Sequence, residues 1–134
     1  MATFTKFNSF AEAVAEKVHN LGSDVLKVAL TDTAPSASNT VLANITEIVY
    51  TNISARTLTT SSSTQTSGTY KLVIADLVLT ASGTVPQFRY VVIYNDTATN
   101  DELIGYYDAS TTNLLNLDTL TLDFDASTGL LTIV

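Results

Sequence analysis

The sequence lacks several residue types on which protein chemistry commonly depends. It contains no cysteine and no tryptophan, and its one histidine is His19. The absence of cysteine excludes disulfide bonds, thiolate metal sites and cysteine nucleophiles, so the fold has to be stabilised by packing. No serine lies in a Gly-x-Ser-x-Gly motif, and no partner for a catalytic histidine can be identified. A serine hydrolase is therefore not expected.

Positive charge is also scarce. Lys and Arg number 6 against 13 Asp and Glu, which gives a formal net charge of −7 at pH 7. A surface of this sign repels phosphate groups, so we do not expect nucleic acid as a partner. The apolar runs are too short and too evenly interrupted for a membrane span. The N-terminal residues lack a basic start followed by an apolar run, which predicts synthesis and retention in a cytoplasm.

Patterns for ligand chemistry are weak throughout the chain. The five glycines are scattered singly, which excludes a Gly-rich phosphate loop. Residues 123–129 begin like a calcium loop, but the glycine falls one position late and no glutamate closes the loop, so we interpret them as a β-turn. Four carboxylates that lie close in sequence flank a predicted turn, where acidic residues are commonly solvated; they are Asp96, Asp101, Glu102 and Asp108. We predict no enzyme activity, no cofactor, no metal and no small-molecule substrate.

What the sequence does contain is apolar periodicity, beginning with a helix. Of its 134 residues 46% are hydrophobic and 14% charged, which is typical of one folded domain. Apolar residues at three- and four-residue spacing predict a helix at about residues 9–21. Ser9 and Glu12 have capping-box spacing, and Gly22 follows at the expected stop position. His19 would lie in the last turn, where the helix dipole favours a cation.

Beyond Gly22 the apolar period changes to two, which is typical of β-strands. Strands are predicted at residues 24–31, 70–80, 88–95, 103–108, 117–124 and 130–134. The 88–95 run, FRYVVIYN, is apolar on both faces and is therefore predicted to be a central strand. Because an unpaired charge is costly to bury, Arg89 is expected near the strand end or beside a carboxylate such as Asp76.

Two polar stretches interrupt this pattern without dividing the chain. Residues 32–46 and 59–69 are rich in small polar side chains, and we predict both to be flexible loops. The sequence therefore predicts one domain over residues 1–134. Its class is mainly β: an antiparallel β-sandwich, jelly-roll-like, with one N-terminal α-helix.

The tyrosines of the predicted strands are candidates for a protein contact. Tyrosine supplies a large contact area at low entropic cost and is enriched at interfaces. The candidate contact residues are Tyr94, Asp96, Tyr106 and Tyr107. On a strand, a tyrosine is more commonly a core residue, so both interpretations stay open.

A carbohydrate-binding module is an alternative function. β-Sandwiches often bind sugars through exposed tyrosines beside Asp or Asn, and Tyr106, Tyr107, Asp108 and Asn113 are of these types. The absence of tryptophan counts against this interpretation.

Motifs spread along most of the chain resemble those of small virion proteins encoded by tailed bacteriophages. They are FTKFNSF at 4–10, VHNLGSD at 18–24, LKVALTDTAP at 26–35, TSGTYKL at 66–72, FRYVVIYNDT at 88–97, LIGYYD at 103–108 and LDFD at 122–125. These are packing and turn motifs rather than active-site motifs. Residues 51–56, TNISAR, depart from the family, whose members tend to carry a Gly-rich turn before the second strand.

The resemblance implies a structural component of the virion. We expect a capsid cement or decoration protein that stabilises the head shell through protein–protein contacts, with a tail or neck component as the alternative. The implied location is the capsid surface, after synthesis in the host cytoplasm. The implied partners are the major capsid protein and copies of the chain itself in a homo-oligomer.

Overall fold

A computed structural model describes residues 2–134 as a mainly β protein. The elements in this range are β1 Thr5–Lys6, α1 Phe10–Ala15, β2 Leu26–Thr31, β3 Thr60–Thr66, β4 Thr69–Ile74, β5 Leu77–Thr80, β6 Phe88–Asn95, β7 Leu103–Thr112, β8 Thr119–Leu122 and β9 Leu131–Ile133. Every pair of neighbouring strands is antiparallel. The predicted class, an antiparallel β-fold with one N-terminal α-helix, is confirmed.

The strands form three sheets around one main core. The four-stranded sheet has the order β1–β7–β6–β2, the three-stranded sheet β3–β4–β9, and the two-stranded sheet pairs β5 with β8. Side chains from all three sheets meet in the main core, including Ile93 of β6, Leu72 of β4 and Leu79 of β5. The four-stranded sheet therefore packs against the other two, which is the layered arrangement of a sandwich.

The FRYVVIYN run is strand β6 and lies between β2 and β7, as predicted. On one face, Val91 and Ile93 contribute to the main core. On the other, Val92 and Tyr94 belong to a second, smaller apolar cluster that also contains Phe7. We call this second cluster the outer cluster. From residue 91 to residue 95, both faces of β6 are thus removed from water.

Arg89, the charged residue of β6, lies near the start of the strand and forms an ion pair with a carboxylate of the neighbouring strand. Arg89 is paired with Asp108 of β7, at 2.8 Å from Nη2 to Oδ2 and 3.0 Å from Nε to Oδ1. The expectation of a position near the strand end beside a carboxylate is confirmed, but the partner is not Asp76, which lies in the break that divides the predicted 70–80 strand into β4 and β5. There its carboxylate accepts a hydrogen bond from the N–H of Phe124 at 2.9 Å.

The N-terminal helix is shorter than the predicted 9–21. It ends after Ala15, and Lys17 takes the left-handed conformation with φ 66°, so the stop position is not Gly22. Ser9 makes no side-chain hydrogen bond to the helix, and the predicted capping box is absent. Leu21, which follows the helix, still reaches the main core from a turn, because apolar spacing indicates which side chains are buried and does not determine the backbone conformation. No helix within residues 2–134 is long and apolar enough to cross a membrane.

The predicted flexible loop at 59–69 was wrong: this segment is the first half of a β-hairpin. Strand β3 pairs with β4, and the turn between them is Ser67–Gly68, with φ values of 51° and 84°. Two consecutive positive φ values are typical of the type I′ turn, whose twist matches that of paired strands. The Ser-Gly dipeptide was the available signal for this hairpin.

The other predicted loop, residues 32–46, contains no strand and covers the outer cluster. A short 3₁₀ turn at Leu42–Asn44 is held by the Asn44 side chain, which accepts hydrogen bonds from the N–H groups of Thr40 and Val41 at 3.0 and 3.2 Å. Ile45 is buried in the outer cluster and Leu42 packs against it. This connection therefore shields the second face of β6.

Gly105 provides a test of how β1 docks on β7. A Cβ at this position would lie 2.7 Å from the Thr5 carbonyl oxygen and would overlap the ring of Phe4. We expect Gly105→Ala to displace β1 and to lower the free energy of unfolding by about 1–3 kcal/mol in urea denaturation. Gly22→Ala is the control, because its Cβ would meet nothing closer than 3.5 Å. An equal loss in both variants would contradict this packing.

Candidate functional site

Two of the predicted contact tyrosines fill the protein interior. Tyr94 and Tyr107 are 4% and 7% exposed, and they lie on opposite faces of the four-stranded sheet. Tyr107 packs edge-on against Phe124, with ring centres 6.3 Å apart, and burial raises the pKa of its phenol. Tyr106 is half-buried, with its ring centre 5.1 Å from that of Phe7. The core interpretation of Tyr94 and Tyr107 accounts for both rings.

The fourth candidate, Asp96, lies in the turn after β6. Its carboxylate is 3.1 Å from the ammonium group of Lys27, and its N–H donates to the carbonyl of Val25 at 2.9 Å. Asp96 is exposed, and among the four candidates it and Tyr106 present accessible side-chain surface. A protein contact through these two residues stays a prediction.

The residues considered for carbohydrate binding do not share one surface. Tyr106 and Tyr107 are consecutive in β7, so their side chains point to opposite faces of the sheet. The Asp108 carboxylate accepts hydrogen bonds from Nε and Nη2 of Arg89, so its oxygens are already engaged. Asn113 is exposed in the loop after β7. No pair of neighbouring exposed rings is formed by these four residues.

The segment interpreted as a turn, Asp123–Gly129, is a turn in the structure. The Asp125 carboxylate accepts hydrogen bonds from the N–H and hydroxyl of Ser127 at 2.8 and 2.7 Å, and these bonds lower its pKa to about 2. Gly129 takes φ 77° and its N–H donates to the carbonyl of Asp125. Within residues 2–134, no group of three or more His, Asp or Glu side chains lies close enough to hold a metal ion.

The sequence did not indicate a buried polar cluster where β6 ends. His19 is 5% exposed and Asn95 is fully buried. The Asn95 Nδ2 lies 3.0 Å from His19 Nδ1 and 2.6 Å from a carboxylate oxygen of Asp24. The Asn95 Oδ1 accepts hydrogen bonds from the N–H groups of Thr97 and Ala98, at 3.0 and 3.2 Å. These two backbone donors fix the amide orientation, so its NH₂ group faces His19.

This geometry fixes the protonation state of His19. Because Asn95 donates to Nδ1, that nitrogen must carry the lone pair, and the ring proton is on Nε2. Nε2 is buried and makes no hydrogen bond of regular length and angle, although the Leu103 carbonyl lies close enough to favour the protonated ring. Burial lowers the pKa of His19, and the carbonyl of Leu103 with the carboxylates of Glu102 and Asp24 opposes this shift with smaller effects. The imidazole is therefore neutral at pH 7.

The predicted helix-dipole role of His19 was wrong, since α1 ends before it. Its ring stacks on Phe10 of α1, with ring centres 5.8 Å apart, while Nδ1 is bound to Asn95 of β6. His19 thus joins the turn after the helix to the central strand. A side chain so enclosed is suited to holding these elements together rather than to proton transfer with a substrate.

A surface feature that the sequence also missed is a loop with exposed leucines. Leu115 and Leu117 of residues 113–118, which we call the leucine loop, are 59% and 78% exposed. Leu117 has φ 70°, a conformation that costs an L-residue about 1–2 kcal/mol. The loop is fixed to the domain, because Leu117 N–H donates to Ala81 O, Ala81 N–H to Asp118 O, and Leu115 N–H to the Asp118 carboxylate. A strained, exposed apolar residue held in place is typical of a contact site.

Comparisons of the chain with protein-family models, with curated proteins and with solved structures gave no match.

His19 provides a test of the buried cluster through pH. Its pKa is lowered in the folded chain, so the unfolded chain binds the extra proton first as the pH falls below about 6.5. We therefore expect the free energy of unfolding to be constant above that pH. Below it, the free energy should fall by up to about 1.4 kcal/mol per pH unit, until the lowered pKa is reached.

The measurement is urea denaturation between about pH 8 and about pH 5.5, where no other side chain of ordinary pKa titrates. His19→Gln is the matched variant and is expected to show a flat profile over this interval. Parallel slopes for the two proteins would contradict a buried, neutral His19.

Proposed function

We propose that this chain is a structural protein of a tailed-bacteriophage virion, and specifically a capsid cement or decoration protein. In this role it stabilises the head shell through protein–protein contacts with the major capsid protein and with copies of itself. The observation that carries the proposal is the leucine loop, which presents Leu115 and Leu117 to solvent on a fixed backbone. The virion context follows from the resemblance of the packing and turn motifs.

The leucine loop is suited to a contact repeated many times over a shell. Complete burial of an exposed leucine contributes about 1.5–3 kcal/mol, so a contact through two leucines is modest for a single copy. On a lattice such a contact recurs at every equivalent position, and neighbouring copies raise one another's effective concentration. The backbone of Leu117 is already fixed in its left-handed conformation by the hydrogen bond to Ala81, so this residue loses little conformational entropy on binding.

The charge of the chain supports a position on the outside of the shell. The formal net charge is −7, which repels the phosphates of packaged DNA and does not oppose exposure to solvent. The buried His19 is hydrogen-bonded to Asn95, and Asp108 forms an ion pair with Arg89, so both side chains already have partners within the domain. A rigid domain with contact surfaces meets the requirements of a cement protein.

Imaging of assembled particles tests this proposal directly. We expect density for the chain at every equivalent position of the head lattice. Density confined to a few rings at the neck or tail would support the alternative virion component and reject the cement role. Detection only in infected-cell lysate, and never in purified particles, would reject both.

Leu117→Asn separates shell contact from stability. Asn tolerates the left-handed conformation better than Leu, so we expect the free energy of unfolding to stay equal or to rise by up to about 1 kcal/mol. Loss of the leucine that the shell contact would bury should weaken rebinding to particles stripped of the protein by about tenfold or more. Val49→Asn is the control, because Val49 is 64% exposed and lies outside the leucine loop. Equal rebinding by the two variants would contradict a contact through Leu117.

A further inference from the structure

The outer edges of some strands are hydrogen-bonded by neighbouring segments of the chain, whereas the outer edge of β3 is not. The outer edge of β2 is covered by the segment before β3, where the N–H of Val28 donates to the Arg56 carbonyl at 3.0 Å. The outer edge of β5 is covered by Ser54, which exchanges hydrogen bonds with Thr80. Strand β3 is one of the two outer strands of its sheet, and within residues 2–134 no segment other than β4 hydrogen-bonds to the backbone of residues 60–66. This edge is available to another strand.

The hairpin geometry defines which groups of β3 face outward. In a hairpin with a two-residue turn, the flanking residues Thr66 and Thr69 exchange backbone hydrogen bonds, and the pattern alternates along the strand. Thr64 therefore directs its backbone groups to β4, whereas Ser63 and Gln65 direct theirs away from the sheet. Unpaired groups of this kind are a template for strand addition.

Two of the usual protections of an exposed edge, charged residues and proline, are missing from β3. Such edges are commonly blocked by charged residues, proline or bulges. Residues 57–70 contain no charged residue and no proline. One irregularity lies between Thr60 and Ser62, which leaves residues 62–66 in regular pairing. The edge is thus neutral, regularly paired and open over the five residues 62–66.

The charge distribution decides which partner this edge fits best. Two copies of a chain with a net charge of −7 repel each other over most of their surfaces, and a neutral segment is where their approach costs least. A cationic partner would instead be drawn to the acidic surfaces. An uncharged, Ser- and Thr-rich strand is also complementary to itself, because Thr and Ser pairs hydrogen-bond across strands.

We propose that β3 is a self-association edge, at which the β3 strands of two copies pair antiparallel about a two-fold axis. The two three-stranded sheets then form one continuous six-stranded sheet. In the register that places Thr64 opposite its own copy, Ser63 of each strand exchanges backbone hydrogen bonds with Gln65 of the other. The contact is small, so self-association is weak in solution and is strengthened where copies are held close together.

This inference goes beyond the shell contact of the leucine loop and is tested without particles. The chain is studied from dilute to millimolar concentration by sedimentation equilibrium and by amide hydrogen exchange measured with NMR. We expect a dimer whose fraction rises with concentration and with salt, because salt screens the repulsion between like-charged copies. The amides of Ser63 and Gln65 should become protected in step with dimer formation, whereas those of Thr64 and Thr66 should be protected throughout.

Thr64→Glu is the disrupting variant, since pairing would place two carboxylates opposite each other. We expect it to weaken the dimer by about tenfold or more, with the Thr66 amide still protected as evidence that the hairpin is folded. Thr99→Glu is the charge-matched control, because Thr99 is an exposed turn residue. It should dimerise nearly as the unchanged chain does.

Three results would overturn the proposal. One is a chain that stays monomeric at millimolar concentration. If the amides of Ser63 and Gln65 then become protected only on particles, the β3 edge binds a segment of the shell protein instead of a second copy. Another is a dimer in which these two amides exchange freely. The third is equal weakening by Thr64→Glu and Thr99→Glu. Absence of the chain from particles would reject the cement role and leave the dimer result unaffected.

Discussion

The burial of β6 on both faces is the constraint on which the rest of this structure depends. A strand that is apolar on both sides needs a layer of protein over each. The three- and two-stranded sheets cover one face and form the main core with Val91 and Ile93. The other face, with Val92 and Tyr94, is covered by the N-terminal segment and by the 32–46 connection, whose Ile45 completes the outer cluster.

This constraint also explains where the polar chemistry of the chain is used. At the end of β6 the backbone leaves the sheet, and Asn95 is buried there with hydrogen bonds to both backbone and side chains. Its amide orients His19 and thereby ties the turn after α1 to the central strand. At the other end, Arg89 and Asp108 form a paired bridge between β6 and β7. These polar side chains therefore stabilise the fold by joining its elements to β6.

Two surface features differ in kind and are suited to different partners. The leucine loop offers apolar area on a fixed and strained backbone, which favours a partner that buries it. The β3 edge offers backbone donors and acceptors on a neutral strand, which favours a second strand of the same character. A domain with one contact of each kind has the parts needed to bind a shell and to join its neighbours. Both roles are proposals that the geometry motivates.

The sequence by itself determined the features that depend on local pattern. The run of apolar residues on both faces of residues 88–95 predicted β6 at its observed bounds and its place between two other strands. Tertiary structure alone decided the features that depend on distant residues: the hydrogen bond between His19 and Asn95 joins positions 76 residues apart. The partner of Arg89, 19 residues away in the next strand, belongs to the same group. Local periodicity reports which side chains are buried, whereas the backbone conformation and the polar pairing at those positions are selected by neighbours that only the folded chain brings into contact.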